Sequence, residues 1–254
     1  MRKILSVVGT RPNLMKTAPV LAALERRGID QLLVHTGQHY DAAMSQVFFD
    51  ELGIRPPDHF LEVGSGTHAE QTARVMERLE PVLVAEQPEL VLVPGDVNST
   101  MASALVAAKL DIPVGHIEAG LRSFDRSMPE ELNRVVTDAV AEVLLIHSPE
   151  AKDNLLREGR PEESIHYVGN TMIDTLVAMR GRFVPSAHEN HVVVTLHRPA
   201  LVDGPLLAQV MAQLARLAQQ MTVVFPVHPR TRARIASASS GVSTSAGRCR
   251  VTSR

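Results

Sequence analysis

The chain has 254 residues, of which 44% are hydrophobic and 21% are charged, so it can bury a sizeable core as one large or two smaller domains. Its 26 basic and 28 acidic residues give a net charge of -2, a balance that does not indicate a nucleic-acid partner. A single cysteine, Cys249, excludes an intrachain disulfide and a multi-cysteine metal site. It also favours a reducing cytoplasm.

The N-terminal apolar run is short. Residues 4–8 are strand-like and lack the longer apolar region and cleavage site of a signal peptide. No apolar run approaches the roughly 20 residues needed to cross a bilayer. We therefore expect a cytoplasmic protein that is not held in a membrane.

Apolar, strand-like runs alternate with helical stretches, which predicts βα units and a mostly parallel sheet. Two helix starts carry recognisable caps: Thr67 with Glu70 forms a capping box, and Ser148 precedes Pro149. We predict helices over 68–87 and 149–158. The predicted strands cover residues 4–8, 31–35, 90–94, 112–117, 143–147, 165–168, 192–196 and 222–227.

A linker is predicted between Met179 and Asn190, where Gly181 and Pro185 occur with little apolar periodicity. It places a boundary near residue 180, between a first lobe (1–180) and a partial second lobe (181–236).

The second predicted lobe has a strand, a helix over about 205–220 and another strand. Residues 237–254 then contain no acid and no helical or strand period, so we expect them to be an unstructured tail. The segment is either a natural flexible tail or the result of a reading frame that breaks near residue 236. We favour the break, because two strands and one helix cannot cover both faces of a parallel sheet.

Two predicted strand-to-helix turns could bind an anion. The turn Gly9–Pro12 opens a helix that carries Lys16, so unpaired amides together with Arg11 and Lys16 suit a phosphate or diphosphate. Gln38 and His39 follow the second strand and would project into the same crevice. An ordinary turn with exposed cations, and simple loop caps, explain these two patterns about as well.

Carboxylates end two further strands and begin the next helix. Asp96, Glu118 and the pair Glu130-Glu131 would meet at one edge of a parallel sheet, which suggests proton chemistry. Taken alone, Asp96 is better explained as a helix cap and the pair as helix-dipole stabilisation. His116 and Glu118 could form half of a metal site, but no His or Cys stands at a zinc spacing, and we expect no metal.

In the second lobe, two strands end in a histidine close to an arginine, at His197-Arg198 and at His228 before Arg230. Histidines at isolated strand ends are usually structural or exposed. Two such ends in one lobe indicate the far wall of an interdomain cleft.

Seven short motifs follow one another along roughly residues 1–235: Gly9-Thr10-Arg11-Pro12, Thr36-Gly37-Gln38-His39, Gly95-Asp96, Gly115 to Arg122, Pro129 to Arg134, Gly169 to Asp174 and Thr195 to Pro199. In this order they resemble the non-hydrolysing UDP-N-acetylglucosamine 2-epimerases. The resemblance implies that residues 1–180 form a Rossmann-like catalytic lobe and that residues 181–236 form part of a nucleotide-binding lobe. Asn13 departs from the family pattern, which has an acid there. The family also continues through a uridine-binding and ribose-binding loop that this chain lacks.

The resemblance implies two Rossmann-like lobes of glycosyltransferase-B type, with the second lobe incomplete, and a homodimer without nicotinamide or metal cofactors. It implies interconversion of UDP-N-acetylglucosamine and UDP-N-acetylmannosamine by elimination and re-addition of UDP through a 2-acetamidoglucal. The implied site comprises the catalytic residues Asp96, Glu118, Glu130 and His197 and the substrate-binding residues Arg11, Lys16, Gln38, His39, Arg198 and His228.

Three other functions stay open: a hydrolysing 2-epimerase, a glycosyltransferase, and a truncated chain with impaired activity. The carboxylate set argues against sugar transfer.

Overall fold

A computed structural model describes residues 3–38, 49–184, 190–196, 199–227, 231–232, 234–235 and 249–252. The chain forms two compact units, Met1–Phe183 and Val184–Arg254. Their boundary lies close to the position near residue 180 at which the sequence predicts one.

The first unit is built on a seven-stranded parallel sheet, which confirms the α/β prediction. The strand order is β3-β2-β1-β4-β5-β6-β7, and its first six strands follow the order of doubly wound dinucleotide-binding folds. The strands are β1 (Lys3–Val8), β2 (Asp30–His35), β3 (His59–Phe60), β4 (Leu90–Pro94), β5 (Val114–Ile117), β6 (Val143–Ile146) and β7 (Ile165–Tyr167). The two-residue β3 is too short to be seen as a run in the sequence.

Helices connect these strands and cover the sheet, whose central strands are therefore apolar on both faces. Leu5 on β1 and Val91 and Val93 on β4 are fully buried in the main core. The helices are α1 (Arg11–Arg26), α2 (His68–Glu86), α3 (Asn98–Lys109), α4 (Pro129–Val140), α5 (Pro149–Arg157) and α6 (Thr171–Met179), with 3-10 turns at Glu162–Ser164 and Arg180–Arg182.

The predicted capping box begins α2. The Glu70 amide donates to Thr67 Oγ1 at 3.2 Å, and the Thr67 amide donates to Glu70 Oε2 at 2.9 Å. These reciprocal bonds satisfy two amides that the helix itself cannot. Both predicted helices, α2 and α5, start at the residues that the sequence predicts.

The second unit contains a three-stranded parallel sheet in the order β10-β9-β8. Its elements are β8 (His191–Val193), α7 (Pro199–Val202), α8 (Leu206–Leu217), β9 (Thr222–Pro226) and β10 (Cys249–Thr252). The expectation of no regular structure over 237–254 is wrong for Cys249–Thr252. The exposed edge of β9 offers backbone amides and carbonyls that any extended segment can pair, so β10 forms without a strong sequence pattern.

No helix in the part of the chain that the structure describes is both long enough and apolar enough to cross a membrane.

The loop between β5 and α4 is anchored by Glu131, in the first turn of α4. Glu131 Oε2 accepts from the Ser123 amide at 2.8 Å and from Arg134 Nη1 at 2.9 Å, while Oε1 accepts from the Phe124 amide at 2.9 Å. Burial by itself raises the pKa of Glu131, but the bonds from Ser123, Phe124 and Arg134 outweigh it and lower the pKa. This acid is therefore a structural acceptor that ties the loop to the helix.

Replacing Glu131 by Gln should destabilise the first unit, because an NH₂ group would then face donors. We expect a loss of about 1–3 kcal/mol in the free energy of unfolding, measured by urea denaturation. The matched control is Glu130→Gln, since Glu130 is exposed; its effect should stay within about 0.5 kcal/mol. Equal stability of the two variants would contradict the anchoring role of Glu131.

His35, at the end of β2, should make the free energy of unfolding depend on pH. Its ring is 2% exposed, it accepts from the Gly37 amide through Nδ1 at 3.0 Å, and burial lowers its pKa from 6.5 to about 4. Between these two values the unfolded chain binds a proton that the folded chain does not. The stabilisation is therefore complete above pH 6.5 and is lost as the pH falls toward 4, by about 3 kcal/mol.

The measurement is the free energy of unfolding from pH 7 to pH 4 for the wild type and for His35→Asn, whose oxygen can replace Nδ1 as the acceptor. The variant should show a shallower decline toward low pH. Identical slopes, or an NMR titration of His35 near 6.5, would overturn the assignment.

Candidate functional site

The candidate site lies in the first unit, at the carboxyl ends of the parallel strands. In open α/β sheets the ligand crevice forms outside these ends, where the strand order reverses. Here the reversal is between β1 and β4, which are paired neighbours in the sheet. The turns after β1, β2, β4 and β5 therefore supply the side chains described below.

Asp96 follows β4 and lies beside α4. Its Oδ2 accepts from Arg134 Nη2 at 2.6 Å, and the pair is mostly sheltered from solvent. The interpretation of Asp96 as a helix cap is wrong, because α3 has Val97 at its N-cap position and no side-chain cap there. The carboxylate instead faces a guanidinium group delivered by a different helix.

Glu118 follows β5 and has a left-handed backbone with φ of 73°. That conformation is uncommon for a residue with a side chain, and such residues cluster at functional sites. Its Oε1 accepts from Lys16 Nζ at 2.9 Å, and the two side chains are 18% and 9% exposed. The predicted anion-binding lysine and a predicted catalytic acid are thus direct partners.

Glu130 lies in the first turn of α4, and its side chain is exposed. It shares a cavity of about 290 Å³ with Asp96, alongside Gln38, His68 and Asn133. The structure thus brings Asp96 and Glu130 together, as the sequence predicts, whereas the neighbouring Glu131 is committed to its loop.

The turn after β1 is held by Asn13, the position at which the chain departs from the family pattern. Asn13 Oδ1 accepts from the Gly9 and Thr10 amides at 3.2 and 3.1 Å, and its Nδ2 donates to the Pro94 carbonyl at 2.9 Å. A carboxylate could make the first two bonds but could not donate the third. Asn13 therefore links the turns after β1 and β4.

Packing explains Gly9 in the turn after β1, whereas the role of Arg11 stays a prediction. A side chain at Gly9 would collide with Ser99 and Thr36, so this glycine is required by packing between loops. Arg11 begins α1 and is half-buried. Its contact with a diphosphate stays a prediction.

Gln38 is buried and caps α3. Its Oε1 accepts from the Ser99 amide at 3.0 Å and from Ser99 Oγ at 2.6 Å, while Thr36 Oγ1 lies 2.8 Å from Ser99 Oγ. The alternative explanation of this turn as a loop cap therefore accounts for the Gln38 oxygen. Binding of substrate by Gln38 stays a prediction.

His116 and Glu118 take different partners, although both belong to the β5 segment. His116 is fully buried and is hydrogen bonded to Asp138 and to the Gly95 carbonyl. Over the part of the chain that the structure describes, no three His, Cys, Asp or Glu side chains are arranged to hold a metal ion.

Four predicted site residues, His39, His197, Arg198 and His228, lie outside the described residues. Their assignments stay predictions.

Sequence reasoning missed the polar residues that hold the carboxylates. Arg134 pairs with Asp96, Asn133 Nδ2 donates to the Asp96 carbonyl at 2.9 Å, and Asp138 pairs with His116. A signal was present: Glu130, Arg134 and Asp138 recur every four residues and so share one face of α4. That spacing places Arg134 within reach of acids on neighbouring segments.

A comparison with protein families matches residues 22–252 to the model described as UDP-N-acetylglucosamine 2-epimerase. The match extends past residue 236, where we expected the family pattern to stop. The structure of the Methanocaldococcus jannaschii UDP-GlcNAc 2-epimerase in complex with UDP-GlcNAc and UDP is 41% identical. Its TM-score is 0.81, and the alignment covers 92% of this chain and 68% of that one.

Two further proteins are similar. The Neisseria meningitidis UDP-GlcNAc 2-epimerase bound to UDP-GlcNAc has a TM-score of 0.88 at 28% identity and covers 99% of this chain and 72% of that one. The Pseudomonas aeruginosa UDP-2,3-diacetamido-2,3-dideoxy-D-glucuronate 2-epimerase is 42% identical, over 91% of this chain and 68% of its own length. These neighbours support the fold class, α/β of glycosyltransferase-B type. The chain belongs to the UDP-N-acetylglucosamine 2-epimerase family.

Proposed function

We propose that this protein interconverts UDP-N-acetylglucosamine and UDP-N-acetylmannosamine without net hydrolysis. The observation that carries the proposal is the convergence of Asp96 and Glu130 on one cavity, with the Lys16–Glu118 ion pair at a neighbouring turn. The M. jannaschii relative, which is named for this activity, was crystallised with UDP-GlcNAc and UDP.

The chemistry explains why several carboxylates are needed. Carbon 2 of the sugar has no adjacent carbonyl to acidify its proton, so direct removal of that proton is difficult. If the C1–O bond to UDP breaks as the carbon 2 proton leaves, the product is a 2-acetamidoglucal. Return of UDP to carbon 1 and of a proton to the opposite face of carbon 2 completes the inversion. General acid–base groups must therefore serve both faces of the sugar.

The three proposed catalytic carboxylates have different surroundings. Asp96 is paired with Arg134 and Glu118 with Lys16, whereas Glu130 is exposed and makes no ion pair with any described residue. Carboxylates in unlike environments can act as acid and as base in the same reaction. We propose that Asp96, Glu118 and Glu130 share these roles and that His197 assists them.

Lys16 and Arg11 are proposed to contact the diphosphate. Gln38, His39, Arg198 and His228 are proposed to bind the substrate. A lysine already next to Glu118 can stabilise negative charge that develops on departing UDP. We also propose a homodimer and a cytoplasmic location, on the basis of the family resemblance and the single cysteine.

The proposal predicts that the protein, incubated with UDP-N-acetylglucosamine in D₂O, forms UDP-N-acetylmannosamine and places deuterium at carbon 2. Proton NMR measures both events. Asp96→Asn and Glu130→Gln should each lower the rate at least about 100-fold, since general acid–base groups contribute roughly that much. Asp153→Asn is the matched control, because Asp153 is an exposed acid on α5.

The products discriminate among the alternatives. Free N-acetylmannosamine and UDP would indicate a hydrolysing enzyme. Reaction only with UDP-2,3-diacetamido-2,3-dideoxy-D-glucuronate, the sugar for which the P. aeruginosa relative is named, would retain the chemistry and change the substrate. Absence of exchange with any of these sugars by folded protein would refute the proposal.

A second prediction concerns Lys16. Lys16→Met should weaken binding of UDP by about tenfold or more, because a charge-assisted hydrogen bond to phosphate is lost. Isothermal titration calorimetry with UDP measures the change. Lys152→Met is the matched control, since Lys152 pairs with Glu162 at an exposed position. An unchanged dissociation constant would remove Lys16 from the diphosphate site.

A further inference from the structure

A buried histidine–aspartate pair adjoins the candidate site through Gly95. His116, on β5, and Asp138, on α4, are both fully buried, and His116 Nδ1 lies 2.6 Å from Asp138 Oδ1. The opposite ring nitrogen, Nε2, lies 2.7 Å from the Gly95 carbonyl oxygen. Gly95 immediately precedes Asp96.

Each ring nitrogen of His116 has one partner. A backbone carbonyl only accepts, so Nε2 carries a hydrogen and donates it to the Gly95 carbonyl. Nδ1 shares a second hydrogen bond with Asp138 Oδ1.

Stability alone does not explain such a pair. Buried ion pairs are often no more stabilising than apolar side chains of similar volume. What an imidazole does provide is two ring nitrogens in a fixed geometry, aimed here at one helix and at one turn. The geometry points to the placement of that turn as its purpose.

Asp138 also binds the turn that carries Glu118. Its Oδ2 accepts from the Gly120 amide at 3.0 Å and lies 2.8 Å from Arg122 Nη2. Arg122 is itself held by Glu158. One buried carboxylate therefore connects the turn after β5 directly, and the turn after β4 through His116.

The same helix carries the third acid. Glu130 lies two turns before Asp138 on α4, so the His116–Asp138 pair is linked by hydrogen bonds to the segments of Asp96 and Glu118 and along one helix to Glu130. A shift of this pair would change the distances among the three carboxylates together.

We propose that His116 and Asp138 are positioning residues for the epimerisation: they fix the relative placement of the three carboxylates without touching the sugar. This inference rests on the proposed function. Because it concerns geometry at the reacting carbon, the effect should fall on kcat and not on KM. A misplacement of about 1 Å can lower a rate by roughly 100-fold.

Two amide substitutions separate the two hydrogen bonds of the ring. In His116→Asn the side-chain NH₂ falls near the position of Nδ1, so the bond to Asp138 is kept and the bond to Gly95 is lost. In His116→Gln the NH₂ falls near Nε2 and can still reach the Gly95 carbonyl. Both variants remove the imidazole, so loss of the ring itself is matched.

His116→Asn and His116→Gln each break one of the two bonds that link Asp138 to the turn after β4. We therefore expect each variant to lower kcat by about 10-fold to 100-fold, with KM changed less than about threefold. Asp138→Asn, which keeps the size of the side chain but removes its charge, should also lower kcat. Urea denaturation of each variant shows whether the rates follow stability. A wild-type kcat in either His116 variant, or losses that track stability alone, would overturn the inference.

Amide NMR signals of Gly95 and Gly120 give a readout that does not require activity. The Gly95 signal should move in His116→Asn and return toward its wild-type position in His116→Gln, whereas the Gly120 signal should move most in Asp138→Asn. If the wild type does not epimerise, the proposed function fails. These signals alone then test whether His116 connects Asp138 to the turn after β4. An unchanged Gly95 signal in His116→Asn would overturn it in either case.

Discussion

The first unit depends on satisfying the backbone of the buried turn that follows β4. Three successive carbonyls there, those of Pro94, Gly95 and Asp96, point into a region from which water is largely excluded, and each must have a donor. The donors are side chains from four different segments: Asn13 and Thr100 for Pro94, His116 for Gly95 and Asn133 for Asp96. The turn is therefore fixed from α1, α3, α4 and β5, and Asp96 is fixed with it.

The charges of the site follow from this framework. Because α1 and α4 are tied to the turn after β4, their cations lie beside acids at this edge of the sheet: Lys16 beside Glu118, after β5, and Arg134 beside Asp96. A diphosphate brought to this edge would compete with Glu118 for Lys16, so under the proposed function binding of UDP and release of an acid are coupled.

Local patterns in the sequence predicted the parallel sheet and the start of α2, because the alternation of strands and helices and the Thr67–Glu70 box act over short distances. The grouping of Asp96 with Glu130 was also predictable, since the carboxyl ends of neighbouring strands share one edge. The long-range partners of these side chains were not predictable from the sequence. Whether an acid caps a helix, as was expected of Asp96, or meets Arg134 depends on packing between α4 and the sheet. β10 depends on an open edge that no local period reveals.

The choice of substrate is another property that the sequence pattern alone does not decide. Relatives named for two different sugars, UDP-N-acetylglucosamine and a diacetamido-glucuronate, are 41% and 42% identical to this chain, so overall similarity does not select between them. Carbon 2 and the diphosphate are common to both substrates, and under the proposed function the three carboxylates and Lys16 act on those parts. The two sugars differ at carbon 3, where an acetamido group replaces a hydroxyl, and at carbon 5, where a carboxylate replaces a hydroxymethyl group. Under the proposed function, discrimination between them falls to side chains outside this set, and those can change while the chemistry is kept.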